Sequence, residues 1–274
     1  MLVYRVSEGL AVAEQSGGPL RLFSGATIDQ LFTGELAPNE LAEGGEPLNS
    51  LPAGELLPPI GTQEVWAAGV TYQRSRTARM EESAKAGASD FYDKVYNAHR
   101  PELFFKATPH RVIGSGGNLQ LRKDSTWMVP EPEVTLALKS DGSLLGFTVG
   151  NDLSSRDIEG ENPLYLPQAK VFDRCAGLGP AIWLTSEWPS PDTTIALSIK
   201  RGGSEVFGGQ MELSQMKQTL PNLVEHLFRE CSFPTGTFLM TGTGLVPPDE
   251  FTLQAGDEVA ITIEPAGTLV NTMQ

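Results

Sequence analysis

Cysteine, histidine and basic charge are all scarce in this chain. Its 274 residues hold two cysteines, Cys175 and Cys231, and three histidines. Neither cysteine has a neighbour at Cys-x-x-Cys spacing, which excludes a zinc knuckle or a dithiol redox centre and suits a reducing compartment. Both are read as small buried apolar residues. No apolar run reaches the roughly 18 residues that a transmembrane helix needs. The start, Met1-Leu-Val-Tyr-Arg-Val-Ser-Glu-Gly9, lacks the basic and then apolar stretches of a secretory leader. The expectation is a cytoplasmic protein with no membrane partner. Lys and Arg number 20 against 34 Asp and Glu, a net charge of −14, which argues against nucleic acid or an anionic membrane surface as a partner. Thr241-Gly-Thr-Gly244 has no following Lys-Ser/Thr and opens no helical pattern, so a nucleotide phosphate loop is excluded as well.

What is present is a chain that is 40% hydrophobic and 20% charged, long enough for one large core with a small appendage. Residues 1–62 read as a small N-terminal domain followed by a linker, with a short helix around Thr27-Ile-Asp-Gln-Leu-Phe32 capped by Ala26 or Thr27 and a Pro/Gly-rich connection from residue 36. The main domain then spans 63–274, opening with a strand at Glu64-Val-Trp-Ala-Ala-Gly-Val70. Ser75 to Ala98 reads as one or two helices that could form the mouth of a pocket. After that, composition and period give a mainly β, α+β chain. Its strands lie near 102–106, 119–122, 133–138, 145–149, 181–185, 194–201, 206–211, 238–241 and 258–263. A helix is expected over Ser214–Cys231, with Met216, Leu220, Leu223, Val224 and Leu227 on one stripe and His226 as a packing residue.

Two acidic residues stand out. Glu131 and Glu133 in Pro-Glu-Pro-Glu-Val lead directly into the strand-like Val134-Thr-Leu-Ala-Leu138. Side chains at i and i+2 of a strand share one face, about 6.6 Å apart along the backbone, and two carboxylates so placed repel unless a cation sits between them. The Asp141-Gly142 turn and the run Ser143–Asn151 predict a hairpin that brings Asp152 back beside the first strand. Three carboxylates suit a hard divalent ion, Mg²⁺ or Mn²⁺, better than Zn²⁺. Acidic residues on an exposed strand edge would have the same spacing.

Four segments, Glu131-Pro-Glu133, Gly146-Phe-Thr-Val-Gly-Asn-Asp152-Leu-Ser-Ser-Arg156-Asp157, Lys170-Val-Phe-Asp173 and Gly177-Leu-Gly-Pro180, resemble the fumarylacetoacetate hydrolase family in order and spacing. Gly69-Val-Thr-Tyr72, Pro101-Glu-Leu-Phe-Phe-Lys106, Thr241-Gly-Thr-Gly244 and Gly256-Asp257 with Asn271 agree with it, so the resemblance covers Gln63 to the C-terminus. It implies a β-roll fold, Mg²⁺ held by Glu131, Glu133 and Asp152, a 2-keto acid as small-molecule substrate, and a homodimer or a tetramer built from dimers. Hydrolases of the family follow their Tyr with a His and a Glu that activate water. Here the segment reads Thr71-Tyr-Gln-Arg-Ser-Arg76, without histidine. With Ile158–Lys170, this looks like the sugar-acid dehydratase branch, which converts 2-keto-3-deoxy-D-arabinonate into 2,5-dioxopentanoate.

That resemblance implies catalytic roles for Lys170 and Glu131, with Lys170 also touching substrate. It implies substrate contacts from Thr71, Arg74, Ser75, Lys106 and Thr243, and an orienting role for Arg156 beside the metal carboxylates. The general acid is left open among Arg74, Ser75, Tyr72 and a metal-bound water. Two alternatives remain on the sequence: an acylpyruvate or fumarylacetoacetate-type C–C hydrolase or 2-oxo acid decarboxylase, with Glu81 or Glu82 positioning water in the hydrolase, and a non-enzymatic binding protein for sugar acids.

Overall fold

At Asp141-Gly142 the chain folds back on itself. Gly142 has φ 79°, a left-handed conformation open to glycine, and the Asp141 carboxylate accepts from the Ser143 amide at 2.9 Å. The computed structural model describes residues 1–53, 56–83 and 89–274. Strands β1 (Leu2–Val6), β2 (Gly9–Ala13), β3 (Leu20–Ser24) and β4 (Glu46–Leu48) precede β5 (Glu64–Gly69) and β6 (Glu102–Ala107). Three short strands follow: β7 (Val112–Ile113), β8 (Asn118–Leu119) and β9 (Met128–Val129). The hairpin itself is β10 (Pro132–Leu138) and β11 (Leu144–Asp152). Beyond it come β12 (Ser154–Ser155), β13 (Ala176–Leu184), β14 (Thr194–Arg201), β15 (Ser204–Glu212), β16 (Thr237–Met240), β17 (Glu258–Ile263) and β18 (Gly267–Met273).

One sheet runs β4-β3-β2-β1-β13-β11-β10-β16-β5-β6, with β7 beside β13, and a second runs β15-β14-β17-β18-β8. The second packs on one face of the first, so Val134, Leu136 and Val149 share a core with Leu197, Ile261 and Leu269. The other face is covered by α1 (Ile28–Thr33), where Leu31 and Phe32 join Val3, Leu10, Phe238 and Met240. Phe32 meets Phe238 edge-on at 5.2 Å, a geometry contributing about 0.5–1.5 kcal/mol beyond area burial. Covered on both faces, β10 and β11 are buried at every position. A carboxylate there is held in a low-dielectric interior.

Six further helices are described: α2 (Pro38–Glu43), α3 (Gln73–Ser83), α4 (Ser89–Asn97), α5 (Arg156–Glu161), α6 (Leu166–Lys170) and α7 (Leu220–Phe228). The cap of α1 is Thr27, whose hydroxyl accepts from the Gln30 amide while the Gln30 side chain accepts from the Thr27 amide. α3 and α4 pack on each other between β5 and β6, and α3 also packs on α5.

Three expectations need correction. The stretch from residue 36 to 62 is more than a linker, because Pro38 starts α2, Glu40 caps it by accepting from the Ala37 amide at 2.7 Å, and β4 pairs with β3. The strand expected to reach Arg122 stops at Leu119, beyond which Arg122 folds onto Asp124 at 2.6 Å. The helix expected over Ser214–Cys231 begins only at Leu220. Pro221 has no N–H and fits only the first turn, which Thr219 caps. Met216 and Lys217 instead pair as extended backbone with Tyr72 and Thr71.

Candidate metal centre

The hairpin register assembles the acidic group. Pro132 lies opposite Asn151, Glu133 opposite Gly150, and the Asp152 amide donates to the Glu131 carbonyl at 3.0 Å. Glu131 and Asp152 are therefore cross-strand neighbours, and Glu133, two residues on from Glu131, shares their face. Their carboxylate oxygens lie within 4.8 Å of one another, and all three residues are buried. The Asn151 carboxamide steadies the corner by accepting from the Glu131 amide at 3.2 Å.

Among the described residues, three cations surround the acids. Lys170, at the end of α6, donates from Nζ to Glu131 Oε2 at 2.6 Å, Asp152 Oδ2 at 2.9 Å and Ser154 Oγ at 2.7 Å, which uses all three of its protons. Arg156, in the first turn of α5, donates from Nη2 to Glu131 Oε1 at 2.7 Å. Lys106 lies wholly buried on β6, with Nζ 2.6 Å from Asp152 Oδ1, and it donates to the Leu153 carbonyl at 2.9 Å and the Lys170 carbonyl at 2.6 Å. One ammonium thus fixes both an acid of the group and the backbone that presents the other lysine.

Glu133 is held differently. Its Oε2 accepts from the Gly242 amide at 2.5 Å. Gly242 has φ 96°, and a Cβ there would lie 2.0 Å from Thr71 Oγ1. Only glycine lets this peptide approach. Burial raises the Glu133 carboxyl well above its ordinary range, repulsion from Asp152 and Glu131 raises it further, and Lys170 and the Gly242 amide offset part of the rise. Burial, with the Glu133 charge, also raises the Tyr72 phenol. A divalent cation among these oxygens would relieve the repulsion, and three buried hard-oxygen donors fit Mg²⁺ or Mn²⁺.

The expected site residues divide in two. The structure joins Glu131, Asp152, Lys170, Arg156 and Lys106 by ion pairs and brings a Glu133 carboxylate oxygen within 4.8 Å of those of Glu131 and Asp152. Thr71 reaches the group indirectly, donating from its hydroxyl to the Thr241 carbonyl at 2.9 Å just before Gly242, while Thr243 is buried one residue beyond. Ser75 is not brought in, since its hydroxyl closes the turn at Tyr72, donating to that residue's carbonyl at 2.8 Å. Arg74 is exposed on α3. The side chains of Glu81 and Glu82 lie outside the described residues. Among the described residues no histidine contacts the triad: His99 lies against His226 with ring centroids 5.3 Å apart and planes tilted by 58°, and His110 pairs with Thr108.

Ser154, Gly242 and Glu159 were not expected. Ser154 had a local signal, because Asp152, Ser154 and Arg156 alternate. Gly242 lay in Thr241-Gly-Thr-Gly244, one of the segments that carry the family resemblance, but its bond to a carboxylate 109 residues away had no local signal.

The model of a family described as fumarylacetoacetate (FAA) hydrolase C-terminal matches residues 64–274. The chain is 47% identical over 216 residues, 78% of it and 73% of the relative, to a probable 2-keto-3-deoxyxylonate dehydratase of Haloferax volcanii. It is 42% identical over 214 residues, 77% of it and 72% of the relative, to the 2-dehydro-3-deoxy-D-arabinonate dehydratase of Saccharolobus solfataricus. Among solved structures, a 2-keto-3-deoxy-D-arabinonate dehydratase complexed with magnesium and 2,5-dioxopentanoate matches with a TM-score of 0.86 and 32% identity, covering 100% of this chain and 99% of that one.

Proposed function

The chain belongs to the fumarylacetoacetate hydrolase family, and from that premise we propose that it catalyses the Mg²⁺-dependent dehydration of a 2-keto-3-deoxy sugar acid, with 2-keto-3-deoxy-D-arabinonate giving 2,5-dioxopentanoate. The observation that carries the reading is the ammonium of Lys170 within 2.9 Å of two of three converging buried carboxylates. Identity of 47% and 42% to sugar-acid dehydratases supports it. So does the lack of a histidine at the triad among the described residues.

Bound by Glu131, Glu133 and Asp152, Mg²⁺, or Mn²⁺ in its place, supplies a Lewis acid for the keto oxygen of a 2-keto acid. The remaining work falls to the chain. Overall one water leaves: loss of a proton from C3 and hydroxide from C4 gives a 3,4-unsaturated 2-keto acid, removal of a C5 proton with protonation at C3 converts this to the 4,5-enol, and protonation of that enol at C4 with loss of its hydroxyl proton gives the dioxo acid. Lys170 and Glu131, 2.6 Å apart, are the pair through which the C3 proton moves. Arg156 orients Glu131, Ser154 orients Lys170, and Lys106 fixes Asp152 and the Lys170 main chain. Thr243 is assigned to a substrate oxygen and Arg74 to the outer end of the substrate, while Thr71 supports the turn at Gly242 through its bond to the Thr241 carbonyl. No helix among the described residues is long and apolar enough to cross a membrane. The reading takes the enzyme to be cytoplasmic and a homodimer, or a homotetramer built from dimers.

The test is incubation of the purified protein with 2-keto-3-deoxy-D-arabinonate, with Mg²⁺ or with chelator, following 2,5-dioxopentanoate by mass spectrometry. Metal-dependent product is expected. Cleavage of acetylpyruvate with no product from the sugar acid would overturn the reading in favour of C–C hydrolysis.

A further inference from the structure

Asn151 and Asn271 are buried carboxamides that come from different sheets. Asn151 stands on β11 one residue before Asp152, on the reverse of the face that carries the triad, because side chains alternate along a strand. Asn271 stands on β18 of the second sheet. Partners fix the orientation of each amide. The Glu131 N–H donates to Asn151 Oδ1 at 3.2 Å, where only an oxygen can accept, and Asn271 Nδ2 donates to the Gly114 carbonyl at 2.9 Å and the Gly117 carbonyl at 3.0 Å, which only an amino group can do. This leaves Asn151 Nδ2 as a buried donor and Asn271 Oδ1 as a buried acceptor, neither with a partner among the described residues. Both asparagines border Gly177, the residue opposite Asn151 on β13: a Cβ there would stand 2.7 Å from Asn271 Oδ1 and 3.2 Å from Asn151 Cβ. The Asn271 oxygen and the Asn151 Cβ are therefore no more than about 6 Å apart, within reach of one bridging water.

We propose that one buried water accepts from Asn151 Nδ2 and donates to Asn271 Oδ1, and that through it the second sheet positions Glu131 for the metal. An unpaired donor and an unpaired acceptor are each costly in such an interior, and a water between them satisfies both. The line of contacts then runs from Asn271 through the water to Asn151 and on to the Glu131 amide. On the triad's face the Glu131 carboxylate is gripped by Lys170 and Arg156, each with a Glu159 oxygen 4.0 Å away. From behind, the Asn151 carboxamide holds the main chain that presents it. An Asn151 free to swing would let that main chain shift, and a metal carboxylate held loosely binds its ion less tightly. Asn271 is thus a positioning residue that acts through Asn151, and Gly177 serves it, because a side chain there would drive the Asn271 oxygen away. The inference rests on the reading of Glu131 as a ligand of Mg²⁺.

A double-mutant cycle tests it, with Mg²⁺ Kd measured by calorimetry for the wild-type protein, Asn151→Ala, Asn271→Ala and the double variant, and thermal melting in chelator to establish folding. Mg²⁺ affinity is expected to fall about tenfold in Asn151→Ala and by a smaller factor in Asn271→Ala. The double variant should bind no more weakly than Asn151→Ala alone, because both substitutions break the same line of contacts. Losses that multiply in the double variant, or wild-type Mg²⁺ affinity in a less stable Asn271→Ala, would confine Asn271 to packing and overturn the inference. If the variants do not fold, a high-resolution crystal structure of the Mg²⁺-loaded wild-type protein decides: a water within hydrogen-bond distance of Asn151 Nδ2 and Asn271 Oδ1 is expected, and its absence from well-ordered density overturns the inference while leaving the metal reading standing. A wild-type protein that binds no Mg²⁺ removes that reading, and the inference with it.

Discussion

Lys106 Nζ and Asp152 Oδ1 are 2.6 Å apart with both side chains buried from solvent. Water neutralises neither charge, so removing Lys106 leaves Asp152 Oδ1 without its ammonium, with Lys170 still holding Oδ2 at 2.9 Å. Lys106→Met is expected to cost about 3–5 kcal/mol of stability, the range for breaking a buried pair, and to weaken Mg²⁺ binding because Asp152 loses its anchor. Calorimetric melting and a metal titration check both. Wild-type melting behaviour in the variant would mean that the pair contributes nothing.

Glu133→Gln separates metal binding from folding. Its side chain keeps an oxygen for the Gly242 amide but has no charge. The Glu133 carboxyl is raised above its ordinary value of 4.5 by burial and by Asp152 and Glu131. The stability it contributes is therefore fully present below about 4.5 and is lost as pH rises through the raised value. With chelator present, the wild-type melting temperature should fall over that window relative to Glu133→Gln. With Mg²⁺ the order reverses towards neutral pH, and the variant should show no metal-dependent turnover. Full activity in Glu133→Gln would sink the metal assignment.

Gly242→Ala places a methyl group 2.0 Å from Thr71 Oγ1 at a φ of 96°. Strain of about 1–3 kcal/mol is expected, and the peptide should withdraw from Glu133, lowering Mg²⁺ affinity. The double variant Thr71→Ala/Gly242→Ala removes the clash but retains the backbone strain, so partial recovery of metal affinity is the outcome to look for in titrations.

Thr27→Ala provides a control remote from the chemistry. It removes one half of the capping box on α1 and should lower stability by about 1 kcal/mol, with kcat and KM unchanged. A change in kcat would show that α1 communicates with the centre.

The hairpin and its acids were legible because their signals are local. A period of two places Glu131 and Glu133 on one face, and Asp141-Gly142 sets the register that returns Asp152. Lys106 was half legible, since a lysine between Phe105 and Ala107 on a strand is costly unless its charge is paired, yet its partners lie 46 and more residues away. Glu159 resembles any acidic residue in the first turn of a helix until α5 is seen to turn inward. The helix expected over Ser214–Cys231 failed for a different reason: the apolar stripe continues past the point at which Pro221 forces a start, and the residues before it pair with Tyr72 and Thr71 instead. Periodicity reports which face is buried, whereas the partner that buries it is a property of topology.

Strand β1 hydrogen-bonds directly to β13, with Leu2 opposite Trp183 and Val3 opposite Ile182, and β13 in turn pairs with β11, the strand that ends in Asp152. The family match begins at residue 64, which invites trimming of everything before it. Such a truncation would bare a hydrophobic edge one strand away from the buried carboxylates, a template for intermolecular pairing. A shortened protein is therefore expected to precipitate rather than to serve as a minimal enzyme, and the sequence boundary of the family is not a safe place to cut.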